Sequence, residues 1–231
     1  MLENLDILFD KSVKCGICKH SYKTKKVRSR FIKTVHSDSD YCSYYQDEEN
    51  SPLLYHVSVC PKCGYSVTDE FSSYFPPKSI DGIQSSITSQ WADRDYGGKR
   101  SLKDAVEAYK LGIYCATLKK EKHIILAGLY MRLAWIFRKE RQTEQELRFM
   151  KLAVLEYVQS YGNEDYKSTE MSELRLLYLI GDLYRRLGDD KQAIIYLSKV
   201  IQKKNQTIEY GIIEKARDVW TEIREEQKKS I

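Results

Sequence analysis

The sequence predicts a mostly α-helical chain that begins with a small β domain knit by cysteines, and three observations carry that prediction. Two C-x-x-C pairs, Cys15-Gly16-Ile17-Cys18 and Cys60-Pro61-Lys62-Cys63, bracket the N-terminal part. Between them, β-branched and aromatic residues alternate with polar ones, the period of half-buried strands. Beyond Pro77 no proline occurs, and apolar residues recur at helical spacing to the end of the chain.

The cysteine pairs come first because they decide how the head is held. A C-x-x-C pair on a tight turn aims two sulfurs at one point, and two such knuckles supply the four thiolates of a closed tetrahedral site. Cys15, Cys18, Cys60 and Cys63 are therefore the expected ligands of a structural zinc ion. Iron in a rubredoxin-like site, a redox or disulfide pairing, and His20 in place of one cysteine are the alternatives. Gly16 and Gly64 fall where a backbone bending beneath the metal needs freedom from Cβ clashes.

Residues 21–35 and 53–60 read as two antiparallel strands, each tied to a knuckle, making a zinc ribbon too small to be stable without its metal. Lys11 to Lys33 form a basic window free of acidic residues. Lys25, Lys26, Arg28 and Arg30, with Tyr22 and Phe31 nearby to stack on bases, are candidate nucleic-acid contacts. The plainer reading is that the same charges offset the formal −2 of four thiolates on a divalent ion and are otherwise solvated. Between the strands, His36, Asp38, Asp40 and Cys42 gather an imidazole, two carboxylates and a thiol, the ingredients of a second site near the zinc or of an activated nucleophile. A loop packed on the head is the plainer reading. No Walker loop, dinucleotide fingerprint or zinc-protease motif occurs, so the expectation is a protein that is not an enzyme, with no catalytic residue and no small-molecule substrate.

Ser79 opens a helix with Ile80, Ile83, Ile87 and Trp91 on one face, and residues 93–100 read as a polar linker. Helices are expected to start near 102 and 144, where Ser101 to Asp104 and Thr143 to Glu146 have capping-box spacing. Residues 174–207 resemble a tetratricopeptide repeat, with Leu177, Ile180, Gly181, Tyr184 and Ala193 at the matching positions. A looser copy starts at Ala127, and residues 105–112 look like the second helix of a third. Gly181 follows its counterpart Ala134 by 47 positions, so an insertion near residues 160–168 is expected. Residues 208–229 look like a capping helix. The lysine and asparagine of a peptide-carboxylate clamp are absent, leaving Trp135, Tyr178 and Asp182 as candidates for a peptide groove.

The predicted organisation is a zinc-ribbon-like domain over 1–75, a connecting helix and linker over 76–100, and a tetratricopeptide-like helical repeat domain over 101–231. The ordered motifs CGIC, VRSRF, DSDYC, SPLLYHVSVCPKCGYSV, AYKLGIYCA and AGLYMRLAWIFR resemble an uncharacterised bacterial family, domain of unknown function 2225. The resemblance implies a metal on the four paired cysteines and makes Cys42, with Asp38 and Asp40, part of a family motif. It also implies a bacterial cytoplasm, in line with an N-terminus that lacks a basic lead and an apolar run and with the absence of any membrane-length apolar stretch. The functional expectation is a zinc-binding adaptor or scaffold that binds a protein or peptide partner through its helical surface, with nucleic-acid binding as the alternative and a Cys42 enzyme as the third.

Overall fold

A computed structural model describes residues 5–92 and 94–229. The first four residues of the expected lead-in, Asp93 of the expected linker and the last two residues lie outside the described residues. The fold class is the expected one: short strands come first, and seven α-helices follow among the described residues. Two compact units emerge, one of Met1–Ser37 and Ser43–Glu121, the other of Asp38–Cys42 and Lys122–Ile231.

In the first unit, β1 (Leu8–Lys14) and β2 (Ser21–Val27) pair antiparallel, from Leu8 opposite Val27 to Lys14 opposite Ser21. Then β3 (Thr34–Ser37) pairs with β4 (Ser43–Tyr45), and β5 (Ser58–Val59) with β6 (Ser66–Val67). The expected pairing of 21–35 with 53–60 does not form. Each knuckle instead sits at the tip of its own local hairpin. The first predicted strand ends at Val27, where a 3-10 turn over Ser29–Phe31 interrupts it. The second opens as a 3-10 turn, Pro52–Tyr55, because Pro52 has no N–H for a ladder and the Ser51 hydroxyl accepts from Leu53 N at 3.3 Å.

Helix α1 (Ser79–Ser86) starts where expected, and α2 (Leu102–Lys119) starts with the expected box: Asp104 N donates to Ser101 Oγ, and Ser101 N to Asp104 Oδ2. However, α2 belongs to the first unit, so the boundary expected at 101 falls after Glu121. Its face of Ala105, Ala108, Tyr109, Gly112, Cys115 and Ala116 is spent on the head and is not the second helix of a repeat. Val57 lies against Gly112, where a Cβ would meet its Cγ1 at 3.1 Å, and the Tyr109 hydroxyl donates to Leu53 O at 2.9 Å. Nor are residues 94–100 a solvated linker. Tyr96 and Arg100 are buried, and Arg100 donates to the carbonyls of Val57 (2.7 Å), Tyr96 (2.9 Å) and Leu54 (3.1 Å).

The second unit stacks α3 (His123–Lys139) on α4 (Thr143–Asn163) and α5 (Glu173–Arg186) on α6 (Asp190–Gln202), and α7 (Tyr210–Lys229) follows. The α5/α6 hairpin is the one read from sequence. Gly181 lets the helices close, since a Cβ there would meet Leu197 Cγ at 2.8 Å. Gly188 turns the chain at φ 79°, and Asp189 caps α6 by accepting from Gln192 N. The expected insertion is a long α4 plus a 3-10 turn over Asp165–Ser168. The second capping box does not form. Arg141 takes the left-handed conformation, and Thr143 is already the first helical residue, behind Gln142. Leu177, Ala193, Leu197 and Val200 share a core with Ile212, Ile213, Ala216 and Ile223, so α7 packs on the last hairpin.

Candidate metal centre and the docked segment

The two knuckles are built alike. Cys15 N donates to His20 O and Cys60 N to Tyr65 O. Lys19 N donates back to Cys15 O and Gly64 N to Cys60 O. The fifth residue of each turn is left-handed, Lys19 at φ 63° and Gly64 at φ 73°. Gly64 thus has the conformational role expected of it, whereas Gly16 does not. Its need is space, since a Cβ there would meet the Phe75 ring at 3.0 Å. Lys19 tolerates the strained conformation while its ammonium bonds Gly16 O at 2.7 Å.

These turns bring all four sulfurs within 4.8 Å of one another, with Cys15 to Cys63 and Cys18 to Cys60 each at 3.6 Å. A tetrahedron with metal–sulfur bonds of about 2.3 Å has edges of about 3.8 Å, so the donor set fits a four-coordinate ion. Amides of Ile17 and Cys18 point at the Cys15 sulfur, and those of Lys62 and Cys63 at Cys60. A hydrogen bond from Cys63 lowers the Cys15 thiol to about 5 and raises Cys63 in turn. Four sulfurs this close share protons unless a cation takes their place. With four protein donors the site keeps no open position for chemistry. Cys15, Cys60 and Cys63 are buried, and exposed His20 is no part of the cluster. Thr88 and Trp91, just past α1, hold the second knuckle by donating to Cys63 O (3.0 Å) and Pro61 O (2.7 Å).

The residues between β3 and β4 form a second constellation, within the second unit. Arg138 Nη1 and Nη2 donate to Asp40 Oδ1 (3.0 Å) and Oδ2 (2.6 Å), Nη1 also to Asp38 (2.7 Å), and Nε to Glu146 (2.7 Å). Trp135 Nε1 donates to Asp40 Oδ2 at 3.2 Å. The Ser39 hydroxyl donates to Asp182 at 2.7 Å and accepts from Arg186 at 2.8 Å, while Arg185 and Arg186 both hold Asp182. Tyr41 stands edge-on to Tyr178, with Arg175 and Lys215 over its ring. Asp40 and Asp182 have no exposed surface. Burial pushes the Asp40 carboxyl up, but Arg138 and Arg186 outweigh it and hold it below its usual value.

Trp135, Tyr178 and Asp182, the candidates for a peptide groove, each contact the segment 38–42 of the same chain. Asp38, Asp40 and Cys42 belong to this unit, whereas His36 belongs to the other, exposed and stacked on Tyr44 at 4.2 Å. Burial pushes the Cys42 thiol up to about 12, the opposite of an activated nucleophile. Sequence reasoning missed Arg138, Arg185 and Arg186. The available signal was an Asp-x-Asp segment with no partner assigned to its charges.

The basic residues divide. Lys26, Arg28 and Arg30 line one open hollow of about 460 Å³ with Phe9 and Leu5. Lys25 is paired with Asp10 at 2.6 Å and Lys26 with Asp69 at 3.4 Å. Arg30 lies over Phe31, and Arg28 over Phe9. Tyr22 is in the core beside the cysteines, so it presents no ring to a base.

Paired cysteine knuckles on local hairpins, followed by antiparallel helical hairpins, define the class of this protein. The chain belongs to the family described as "Uncharacterized protein conserved in bacteria" (DUF2225), whose family model matches residues 8–223. Comparisons with curated proteins and with solved structures found no match. Among the described residues, no helix is long and apolar enough to cross a membrane.

Proposed function

We propose that the protein is a zinc-binding adaptor, a non-enzymatic module whose tetratricopeptide-like second unit binds a protein or peptide in a reducing cytoplasm. The observation that carries this reading is the seating of residues 38–42 on α3 and α5. There Trp135, Arg138, Asp182 and Arg186 hold an irregular stretch of polypeptide by its side chains. Helical repeats present such side-chain surfaces to peptides. A closed four-thiolate centre and a buried, high-pKa Cys42 support a structural rather than a chemical role. The test is affinity capture by the tagged full chain, followed by reconstitution from purified components. Saturable one-to-one binding of a protein is expected. Failure of every captured protein to bind on reconstitution would refute the reading.

A second reading, nucleic-acid binding by the first unit, is favoured by one observation: Lys26, Arg28 and Arg30 share a hollow with Phe9. It predicts binding of single-stranded RNA or DNA that weakens steeply with salt. Full retention of binding after K26E, R28E and R30E would eliminate it.

A further inference from the structure

We infer that the face of the second unit formed by Trp135, Arg138, Tyr178, Asp182 and Arg186 is a receptor for a short acidic segment of a partner protein, of the form Asp-Ser-Asp-Tyr, which residues 38–41 of this chain occupy in cis. The inference rests on the adaptor reading and gives its partner a chemistry.

The seated segment is read position by position. Its backbone bonds are internal to a tight turn, from Tyr41 N to Asp38 O and from Asp38 N to Cys42 O, with Tyr41 at φ 68°. The bonds to the helices therefore come from side chains. Asp40 is gripped by both Nη atoms of Arg138 and by Trp135, a fork that favours a carboxylate, both of whose oxygens accept. Ser39 both donates, to Asp182, and accepts, from Arg186, which calls for a hydroxyl. Tyr41 needs an aromatic ring, edge-on to Tyr178 and beneath Arg175 and Lys215.

The helices are charge-complementary to that code. Arg138, Arg175, Arg186 and Lys215 face the segment, and Asp182 is already balanced by Arg185 and Arg186. Removal of the segment takes Asp38 and Asp40 from Arg138, whose other carboxylate partner among the described residues is Glu146. The two-pronged donor face of Arg138 that held Asp40 is then uncovered beside Trp135 and Arg186, where another acidic ligand fits. A tethered segment competes at an effective concentration on the order of millimolar, so a partner engages only where it outbids or displaces residues 38–42.

The test uses a fluorescent peptide spanning residues 36–44, with serine in place of Cys42, titrated onto the native chain and onto a full-length variant carrying Gly-Ser-Gly-Ser-Gly at 38–42. At least tenfold tighter binding to the variant is expected. It should be lost when Arg138→Ala is added and weakened at least tenfold when the peptide's Asp40 is replaced by Asn. No binding to a variant whose circular dichroism and melting show a folded second unit would overturn the inference. So would a loop-exchanged dimer in gel filtration, which would make a second copy the occupant. Should the variant not fold, hydrogen exchange at residues 38–42 of the native chain, with millimolar peptide, decides. Acceleration is expected, and unchanged protection overturns the proposal. A reconstituted protein partner that binds normally while the peptide fails would refute this inference and leave the adaptor reading standing.

Discussion

Arg138 Nη2 lies 2.6 Å from Asp40 Oδ2 and Nη1 lies 3.0 Å from Asp40 Oδ1, a two-pronged pair between residues 98 apart in sequence. The Asp40 side chain is fully buried and that of Arg138 is 12% exposed, so solvent screens the pair little. Arg138→Ala is expected to destabilise the second unit by about 3–5 kcal/mol, because Asp40 is left as a buried charge without its main partner. Asp40→Ala in the Arg138→Ala background should cost much less than Asp40→Ala alone. Additive losses in a denaturant double-mutant cycle would show that the pair is not coupled.

The same pair makes an acid limit. The Asp40 carboxyl is held below its ordinary 3.8, so the unfolded state takes up its proton first as the pH falls. The stabilisation is therefore fully present above about pH 5 and is lost as pH drops through about 4 toward the depressed folded value. Urea midpoints of the native chain should fall more steeply over that range than those of Asp40→Asn, which has no such proton to gain. Parallel curves would remove Asp40 from the acid limit.

Cys42 gives the complementary case at high pH. Its thiol is raised from 9.0 to about 12, so stability from the neutral form is complete below about pH 9 and declines as pH climbs to 12. At pH 8 the thiol is protonated, and the group is buried. Alkylation of Cys42 by iodoacetamide, followed by mass spectrometry, should proceed only at the rate of opening of the segment. Rapid labelling with a midpoint below pH 8 would revive a nucleophilic role.

How far the sequence was readable follows from the range of the interactions. The knuckles, the Ser101 cap and the Gly181 contact are set by residues close in the chain or by a repeat pattern, and these were legible. The partner of each strand was not, because β2 and residues 53–60 alternate equally well whichever strand pairs with them. Residues 94–100 looked polar because Arg100 carries a charge, yet three backbone carbonyls satisfy its guanidinium inside the unit. At the second constellation, Trp135, Tyr178 and Asp182 were found from repeat positions. Their occupant was not, since nothing local to Asp38 or Asp40 names Arg138 or Arg186 as a partner.

The metal centre predicts its own dependence. With four sulfurs converging in a head of two-strand sheets, the binding energy of an ion held there would be folding energy for the first unit. Elemental analysis of chelator-free protein should find about one ion per chain, zinc on the present proposal. Cys60→Ser should lower that occupancy and the melting temperature together. Titration with a thiol-directed mercurial should release the metal with loss of near-ultraviolet circular dichroism from Tyr22 and Tyr65, which pack beside the cysteines. A full native spectrum after release would mean that the hairpins stand without the ion.

Two glycines separate backbone strain from crowding. Gly64 and Gly188 share nearly the same left-handed conformation, at φ 73° and 79°. A Cβ on Gly188 meets nothing within 4 Å, whereas one on Gly64 would lie 2.4 Å from Trp91 Cε3 and 2.7 Å from Cδ2. Gly188→Ala should therefore cost only the conformational penalty of about 1–2 kcal/mol. Gly64→Ala adds a displacement of Trp91, whose indole N–H bonds Pro61 O within the second knuckle at 2.7 Å. The added overpacking is worth about 1–3 kcal/mol and should also weaken metal retention. Gly64→Ala made in a Trp91→Ala background should cost less than in the native chain, with Ile87 Cγ2 at 3.0 Å as the remaining close neighbour. Equal losses for the two single variants, by chemical denaturation with metal content measured alongside, would mean that Trp91 does not bear on the knuckle.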